Sequence, residues 1–252
     1  MIARMPLENF LVIDIETVSA KKNFEELDIE WKKLWEEKVQ RSLPDDTSFD
    51  AYYPQRAGVM AEFAKIICIS IGYFKREKGS YQLRVKSIYG HHEKEMLQRF
   101  LDTVNQMEQI HTKWSFTGHN IKEFDIPFIC RRLLINDLSI PVYLDFQNMK
   151  PWETNMVDTF QFWRFGDYKN YTSLKLLAAA LGIPSPKDDI DGSMVGELYW
   201  TGNNAERLAG LKRIAVYCQK DVITTGNIFL KFKNMPVVHP DDIDIVEVDM
   251  IA

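Results

Sequence analysis

The sequence predicts a globular α/β protein with a mixed central β-sheet and helices on the faces of that sheet. Three strand-like segments follow one another within the first 90 residues, and helical and strand-like segments then alternate. The chain has 252 residues, of which 46% are hydrophobic and 27% charged, so it can bury one large core. We therefore expect one folded domain, residues 1–235, followed by a short tail.

The first three strands are predicted at residues 10–16, 65–75 and 81–90 from their β-branched and aromatic content. Between the first two, residues 20–63 contain a charged amphipathic helix. The apolar side of that helix carries Trp31, Leu34, Trp35 and Val39. We interpret this segment as an insertion that packs back on the domain. A lid over a site and a docking surface for another protein are the alternatives.

The later part of the chain predicts mainly helices, from the spacing of its apolar residues. Gly182 and Pro184 mark the end of one of them. The predicted elements are a helix at 92–107, a strand at 112–117, and helices at 123–134, 155–165, 172–184 and 205–233. This alternation after an initial meander favours a layered α/β arrangement.

The net charge of −5 argues at first against a nucleic-acid partner, because such proteins usually present a basic surface to phosphates. The acidic residues are concentrated at the end, however. Residues 236–252 hold five acidic residues and no Lys or Arg, so residues 1–235 are neutral overall. We interpret 236–252 as an acidic C-terminal tail, solvated or weakly docked. If four carboxylates of the domain bind metal, its remaining side chains carry an excess of four positive charges, which permits phosphate binding.

The three cysteines, Cys68, Cys130 and Cys218, lie in apolar surroundings without CxxC spacing. This pattern predicts buried reduced thiols and argues against disulfides and zinc. The first residues lack the layout of a secretory signal, and no apolar run approaches the roughly 18 residues that span a bilayer. We expect a cytoplasmic protein without a membrane partner.

The stretch FLVIDIETVS, residues 10–19, ends an apolar strand in two carboxylates. Alternation along the strand places Asp14 and Glu16 on the same face. Two like charges about 4 Å apart repel by roughly 1 kcal/mol in water and about 4 kcal/mol at an effective dielectric constant near 20. A half-buried pair therefore needs a cation, a proton or an arginine. The alternative is a strand that frays at Asp14 and leaves both side chains in solvent.

Two further stretches carry acids in apolar surroundings. TGHNIKEFDIPFICRRLL places Asp125 near the start of a helix that follows a strand, and RIAVYCQKDVITTGNIFL places Tyr217 and Asp221 one turn apart on one helix face. Taken singly, Asp125 could cap its helix, Tyr217 could be a core aromatic and Asp221 could be solvated. Taken together with the first pair, they favour one acidic site.

The stretches VIDIET, GHNIKEFDIPFI and YCQKDV resemble the three exonuclease motifs of the DEDD 3′–5′ exonucleases, in the same order. The residues of these motifs are similar to those of the proofreading domain of family B DNA polymerases. The chain is too short to include a polymerase, so it resembles the stand-alone predicted exonucleases related to that domain, over residues 8–233. The resemblance implies a ribonuclease H-like fold and hydrolysis of nucleic acid from a 3′ end.

The resemblance also implies a catalytic site with two divalent cations, Mg²⁺ or Mn²⁺. It assigns Asp14, Glu16, Asp125 and Asp221 as metal ligands, and four carboxylates form a hard oxygen site of the kind those ions prefer. Tyr217, four positions before Asp221, places the chain in the tyrosine subclass. Its hydroxyl is expected to orient the attacking water, because a pKa of about 10 makes tyrosine a poor base.

Substrate contacts follow from the same resemblance. Asn120 and Phe124 match residues that engage the terminal nucleotides, and Thr17 follows the first motif where a backbone or hydroxyl contact is expected. Ser173 and Leu174 match a further motif that touches DNA, and they are equally explained as a helix start with core leucines.

Two neighbouring residues have weaker indications. Lys187 is a candidate for a phosphate contact, with a solvated lysine as the alternative. His119 is expected to pack or hydrogen-bond beside Asn120.

Three functions remain at this stage. The first is a metal-dependent 3′–5′ exonuclease acting on single-stranded DNA ends, which the residues of the motifs favour. The second is an exoribonuclease of the same fold, because the metal site does not recognise a 2′-hydroxyl. The third is a nucleic-acid-binding module without catalysis, which the presence of all four acids and the tyrosine argues against. The sequence indicates no particular protein partner.

Overall fold

The computed structural model describes residues 5–77, 79–150, 153–184, 190–246 and 250–251. Within these residues the strands are β1 (Phe10–Ser19), β2 (Ala64–Glu77), β3 (Ser80–Tyr89), β4 (Ser115–Gly118), β5 (Met156–Asp158) and β6 (Ile243–Val246). The helices are α1 (Ile29–Val39), α2 (Phe49–Arg56), α3 (Glu93–Ile110), α4 (Asp125–Ile135), α5 (Thr159–Arg164), α6 (Leu174–Ala180), α7 (Val195–Trp200) and α8 (Asn204–Phe232). None of these helices is long and apolar enough to cross a membrane.

The six described strands form one mixed sheet in the order β5-β4-β1-β2-β3-β6. β2 pairs antiparallel with both β1 and β3, whereas the β1–β4, β4–β5 and β3–β6 pairs are parallel. β2 therefore runs against the other strands of the sheet. The predicted α/β class is confirmed, with a mixed central sheet flanked by helices.

The two faces of β1 pack against different helices. Ile13 and Ile15 join the core that also contains apolar residues of α3 and α4. Phe10 and Val12 point to the opposite face and pack with Phe229 of α8, whose ring centroid lies 4.5 Å from that of Phe10. The side chains that follow on this second face of β1 are therefore placed between the sheet and α8.

The insertion at residues 20–63 folds into α1 and α2. Trp35 and Val39 of α1 are fully buried in a small core with Tyr53 of α2. Trp31 and Leu34 remain 40% and 42% exposed, so only part of the predicted apolar side is covered.

The short helices α2 and α7 were not predicted, and two predicted segments differ from the structure. The helix predicted at 155–165 begins with β5, because this short run continues the open edge of the sheet beside β4. Its Asp158 side chain accepts hydrogen bonds from the first backbone N–H groups of α5, which ends the strand and begins the helix.

The acidic segment after Pro236 is also more ordered than predicted. β6 extends the edge of β3, and Ile251 is buried in the main core. Arg84 pairs with Asp244 across the new edge, with 2.9 Å between Nε and Oδ2. The free backbone groups of β3 explain this docking, since an unpaired strand edge readily accepts another strand. The division of the chain at residue 235 remains a prediction.

Candidate active site

The position of Asp125, the third predicted acid, depends on where β4 ends. This strand leaves the sheet after Gly118, where an added Cβ would lie only 2.9 Å from the carbonyl oxygen of Ile13. Beyond that point, none of the described strands pairs with β1 on this side. Asp125, the first residue of α4, fills the gap, because its Oδ1 accepts a hydrogen bond of 3.1 Å from the backbone N–H of Ile15. A carboxylate thus takes the role of a backbone acceptor.

The acids from β1 and α8 meet on the opposite face of the same strand. Asp14 and Glu16 lie under α8, and one ligand atom of each lies within 4.8 Å of the other and of the Cys218 sulfur. Burial raises the pKa of both carboxyls well above their usual values, and the charge of Asp221 is the next largest cause for each. The charge of Asp125 also raises the pKa of both carboxyls. The structure therefore brings all four predicted acids into one electrostatic unit.

Asp125 and Tyr217 have shifted pKa values for related reasons. Burial raises the pKa of Asp125 to about 7, against hydrogen bonds from backbone N–H groups that lower it. Burial also raises the pKa of Tyr217 far above its usual value, and the charges of Asp221, Glu16 and Asp14 add to the effect. The phenol therefore keeps its proton, and it interacts with Asp221 through a hydrogen bond.

The donor set fits hard divalent cations. Elsewhere in the core, the buried carboxylate of Glu93 is neutralised by an ion pair with Arg132. None of the ion pairs formed within the described residues involves Asp14, Glu16 or Asp125. Buried carboxylates that repel one another are suited to bind a hard divalent cation.

Asn120 and Cys218 carry further polar groups of the candidate site. The Oδ1 atom of Asn120 is buried and has no hydrogen-bond partner within the described part of the chain, which leaves it free for a ligand. Cys218 donates to the Oδ2 atom of Asp14 at 3.2 Å, and burial raises the pKa of its thiol well above the usual range. A protonated thiol in this position is a hydrogen-bond donor to a carboxylate rather than a metal ligand.

A groove of about 750 Å³ is lined by one of the four acids, Glu16. Thr17 and Phe124 line the same groove. The insertion supplies one wall and α7 contributes another, and the residues that line them are Pro54, Gln55, Gly58, Val59, Gly196, Glu197 and Trp200. The segment that packs back on the domain is therefore also a wall of this groove.

The remaining predicted contacts lie outside that groove lining. Ser173 accepts a hydrogen bond from the backbone N–H of Leu176 and caps α6, and Leu174 packs against the small core beneath α6. These are the positions expected for a helix start with core leucines. His119 lies next to Asn120 in the loop between β4 and α4, and its Nε2 hydrogen-bonds to the carbonyl oxygen of Thr172 at 2.9 Å. Lys187 lies outside the described residues.

Asp158 was not indicated by the sequence patterns, although it organises the loop that carries Asn120. Its carboxylate is 1% exposed and accepts hydrogen bonds from the backbone N–H groups of Asn120 at 3.0 Å and Lys122 at 3.1 Å. The same side chain caps α5. The signal that could have identified it is the aspartate in MVDTF, between an apolar pair and a helix, which is a typical N-cap position.

The insertion is tied to the acidic strand by one hydroxyl. Thr17 donates to the carbonyl oxygen of Gly58 at 2.6 Å. We expect Thr17→Val to lower the free energy of unfolding by about 1–2 kcal/mol, because the carbonyl loses its partner while the side-chain shape is kept. Urea unfolding measures the difference. Thr103→Val, on the exposed side of α3, is the control and should change stability by less than about 0.5 kcal/mol.

Comparison with known proteins gives a family for this chain. Residues 59–241, more than half of the chain, match the model of the predicted 3′–5′ exonucleases related to the exonuclease domain of PolB. The match contains the second and third acidic motifs and begins after the first. No curated protein matches the sequence.

Among solved structures, the chain is similar to the family B DNA polymerase from the hyperthermophilic archaeon Pyrobaculum calidifontis, with 17% sequence identity and a TM-score of 0.49. The similarity covers 90% of this chain and 25% of the polymerase. The family match confirms the resemblance indicated by the three motifs. The chain belongs to the family of predicted 3′–5′ exonucleases related to the exonuclease domain of PolB.

Proposed function

We propose that this protein is a metal-dependent 3′–5′ exonuclease that hydrolyses phosphodiester bonds at the 3′ end of single-stranded DNA. The observation that carries the proposal is the convergence of Asp14, Glu16, Asp125 and Asp221, from three distant segments, into one buried cluster. Family membership supports the reaction class. The similarity of the three motifs to those of DNA polymerase proofreading domains supports DNA as the substrate.

The four carboxylates would hold two divalent cations, Mg²⁺ or Mn²⁺. When bound, such ions activate water and neutralise the charge that develops on the scissile phosphate and the leaving 3′ oxygen. Asp125 keeps its place through the Ile15 backbone, so its contribution to the cluster does not depend on a flexible loop. The mutual repulsion of the acids then contributes to cation affinity.

Tyr217 is assigned the orientation of the attacking water. Its hydroxyl stays protonated next to Asp221, so it can donate a hydrogen bond but not remove a proton. Phe124, which lines the groove, is assigned to stack on a terminal base, and Thr17 and Asn120 to contact the same nucleotides. Ser173 and Leu174 remain candidate contacts farther along the strand.

A nuclease assay with three substrates tests the proposal. Single-stranded DNA, duplex DNA and RNA, each labelled at the 5′ end, are incubated with the protein in Mg²⁺, Mn²⁺ or EDTA. We expect a ladder that shortens from the 3′ end of single-stranded DNA only when metal is present. Activity that persists in EDTA would contradict the mechanism. Degradation of RNA alone would replace the DNA exonuclease with an exoribonuclease, and binding without cleavage in any metal would leave a binding module.

Removing the Tyr217 hydroxyl tests its assigned role. We expect Tyr217→Phe to lower the single-turnover rate by about 10- to 100-fold, because the water loses an orienting partner while the four acids are unchanged. DNA affinity, measured by fluorescence anisotropy in Ca²⁺, should remain that of the wild type. Tyr143→Phe serves as the control, because it removes a hydroxyl that is hydrogen-bonded to Asn105 and is not one of the assigned site residues. An unchanged rate in Tyr217→Phe would remove this role.

A further inference from the structure

Residues 162–176 form a surface segment with an unusual density of exposed aromatic rings. Phe165 is 90% exposed, Tyr168 78% and Tyr171 67%. Arg164, Lys169 and Lys175 alternate with them, and Asp167 is the single acid of the segment. Rings that alternate with cations are typical of surfaces that bind single-stranded nucleic acid, where bases stack and phosphates are neutralised.

Phe165 gains nothing for folding from its position. It is the residue that ends α5, in the left-handed conformation with φ 43° and ψ 32°. Glycine is the residue that adopts this conformation without cost, and a bulky side chain is disfavoured there. A ring that is 90% exposed recovers almost no burial in return. The reason for an aromatic residue at this turn therefore lies outside the stability of the fold.

The neighbouring ring is held in place from the body of the protein. The guanidinium of Arg164 lies 4.0 Å from the ring centroid of Phe160 and 5.8 Å from that of Tyr168. The same guanidinium pairs with Glu123, at 3.4 Å between Nη1 and Oε1. Glu123 directly precedes Phe124 in the loop between β4 and α4. The position of Tyr168 is thereby coupled to that loop.

The inner end of the segment borders the acids. The ring of Tyr171 packs edge-on against Phe160, with 5.0 Å between centroids. The carbonyl of Thr172, the next residue, bonds to His119 at 2.9 Å. Burial raises the pKa of Tyr171, and the charges of Asp125 and Asp158 add to the rise, as expected for a phenol close to the cluster.

We propose that Phe165, Tyr168 and Tyr171 form a stacking platform for the bases of a single-stranded nucleic acid whose 3′ end lies at the carboxylate cluster. The inference rests on the proposed function and adds to it a binding site for the bases upstream of the scissile bond. Stacking on rings tolerates any base, so the platform suits a processive or unselective nuclease. It does not separate DNA from RNA, because both present the same base faces.

The charge of the segment favours this ligand over a protein partner. Three cations face one acid in a chain whose overall charge is −5. The carboxylate of that acid, Asp167, is engaged by the backbone N–H of Lys169 and the side chain of Asn170 at 3.0 and 2.9 Å. Arg164 is paired with Glu123, so the exposed Lys169 and Lys175 are the cations that this segment offers to a phosphate backbone.

Binding measurements on ring-deletion variants test the platform. Fluorescent dT and rU oligomers of about 12 nucleotides are titrated with the full chain in EDTA, where cleavage does not interfere. We expect Phe165→Gly and Tyr168→Ala each to raise the dissociation constant by about 5- to 150-fold. Phe165→Gly should also keep or raise Tm, since glycine relieves the left-handed turn. Lower affinity together with unchanged or higher Tm separates loss of stacking from loss of folding.

Matched variants keep the test specific. Tyr168→Phe and Phe165→Tyr retain the rings and should bind as the wild type does. Ile29→Ala removes an apolar side chain that is 88% exposed on α1, and it should leave affinity unchanged.

The outcomes separate this inference from the proposed function. If the wild type cleaves nothing in any metal but the ring variants lose affinity, the exonuclease proposal fails and the platform stands. If the wild type is an exonuclease and both ring variants bind dT and rU oligomers normally, the platform is overturned. Self-association of the wild type in sedimentation that is lost in the ring variants, with nucleic-acid affinity unchanged, would also overturn it and make the surface a protein interface.

Discussion

Asp14→Asn is expected to lower exonuclease activity by roughly 10³-fold or more. Asp14 is the most central acid of the cluster, since the charges of Asp221, Asp125 and Glu16 all act on its pKa. An amide of the same shape cannot supply the negative charge that the proposed divalent cations require. Single-turnover cleavage of end-labelled single-stranded DNA in saturating Mg²⁺ measures the change.

The same substitution should not weaken the fold. Replacing one of four repelling carboxyls by a neutral group removes part of a buried repulsion, so the Tm of metal-free Asp14→Asn should equal or exceed that of the wild type. Asp241→Asn is the control, because that side chain is 91% exposed, and it should retain full activity. An Asp14→Asn protein with more than about a tenth of wild-type activity would contradict the assignment of Asp14 as a metal ligand.

Metal-free protein is expected to lose about 4 kcal/mol of unfolding free energy between pH 4 and pH 8 through Asp125. Burial raises the folded-state pKa of Asp125 from 3.8 to about 7. A carboxyl whose pKa is raised on folding binds its proton more tightly in the native state. Its contribution is therefore complete below the unfolded pKa and is lost as the pH rises through the folded pKa. Asp14 and Glu16 shift in the same direction and add to the loss.

A bound cation should reverse this loss. Mn²⁺ or Mg²⁺ binds the ionised carboxylates of the native state, so it stabilises the protein most at pH 8 and least at pH 5. Urea unfolding at pH 5, 6, 7 and 8 in EDTA and in excess Mn²⁺ measures both effects. Asp125→Asn should flatten the pH dependence in EDTA, and its amide oxygen can still accept from the Ile15 backbone. Stability that stays level from pH 5 to 8 in EDTA and does not respond to Mn²⁺ would contradict a buried, metal-binding acidic cluster.

The long periodic helix α8 was predicted to within one residue at each end, whereas the short strands β5 and β6 were not predicted. α8 lies at Asn204–Phe232 against a prediction of 205–233, because nearly eight turns of apolar spacing define it. β5 has three residues and was assigned to a helix, since so short a run carries no period of its own. β6 was assigned to a tail because its acidic residues conceal a strand that pairs only where β3 offers a free edge.

The sequence by itself indicated which residues are candidates for the chemistry. Spacing of two along a strand and of four along a helix places Asp14 with Glu16, and Tyr217 with Asp221, without knowledge of any other segment. Only the tertiary structure decided how these pairs meet. Asp125 reaches the Ile15 backbone across 110 positions, and Cys218 reaches Asp14 across 204. Such contacts depend on where β4 ends and on how α8 crosses the sheet, and local periodicity contains no information on either.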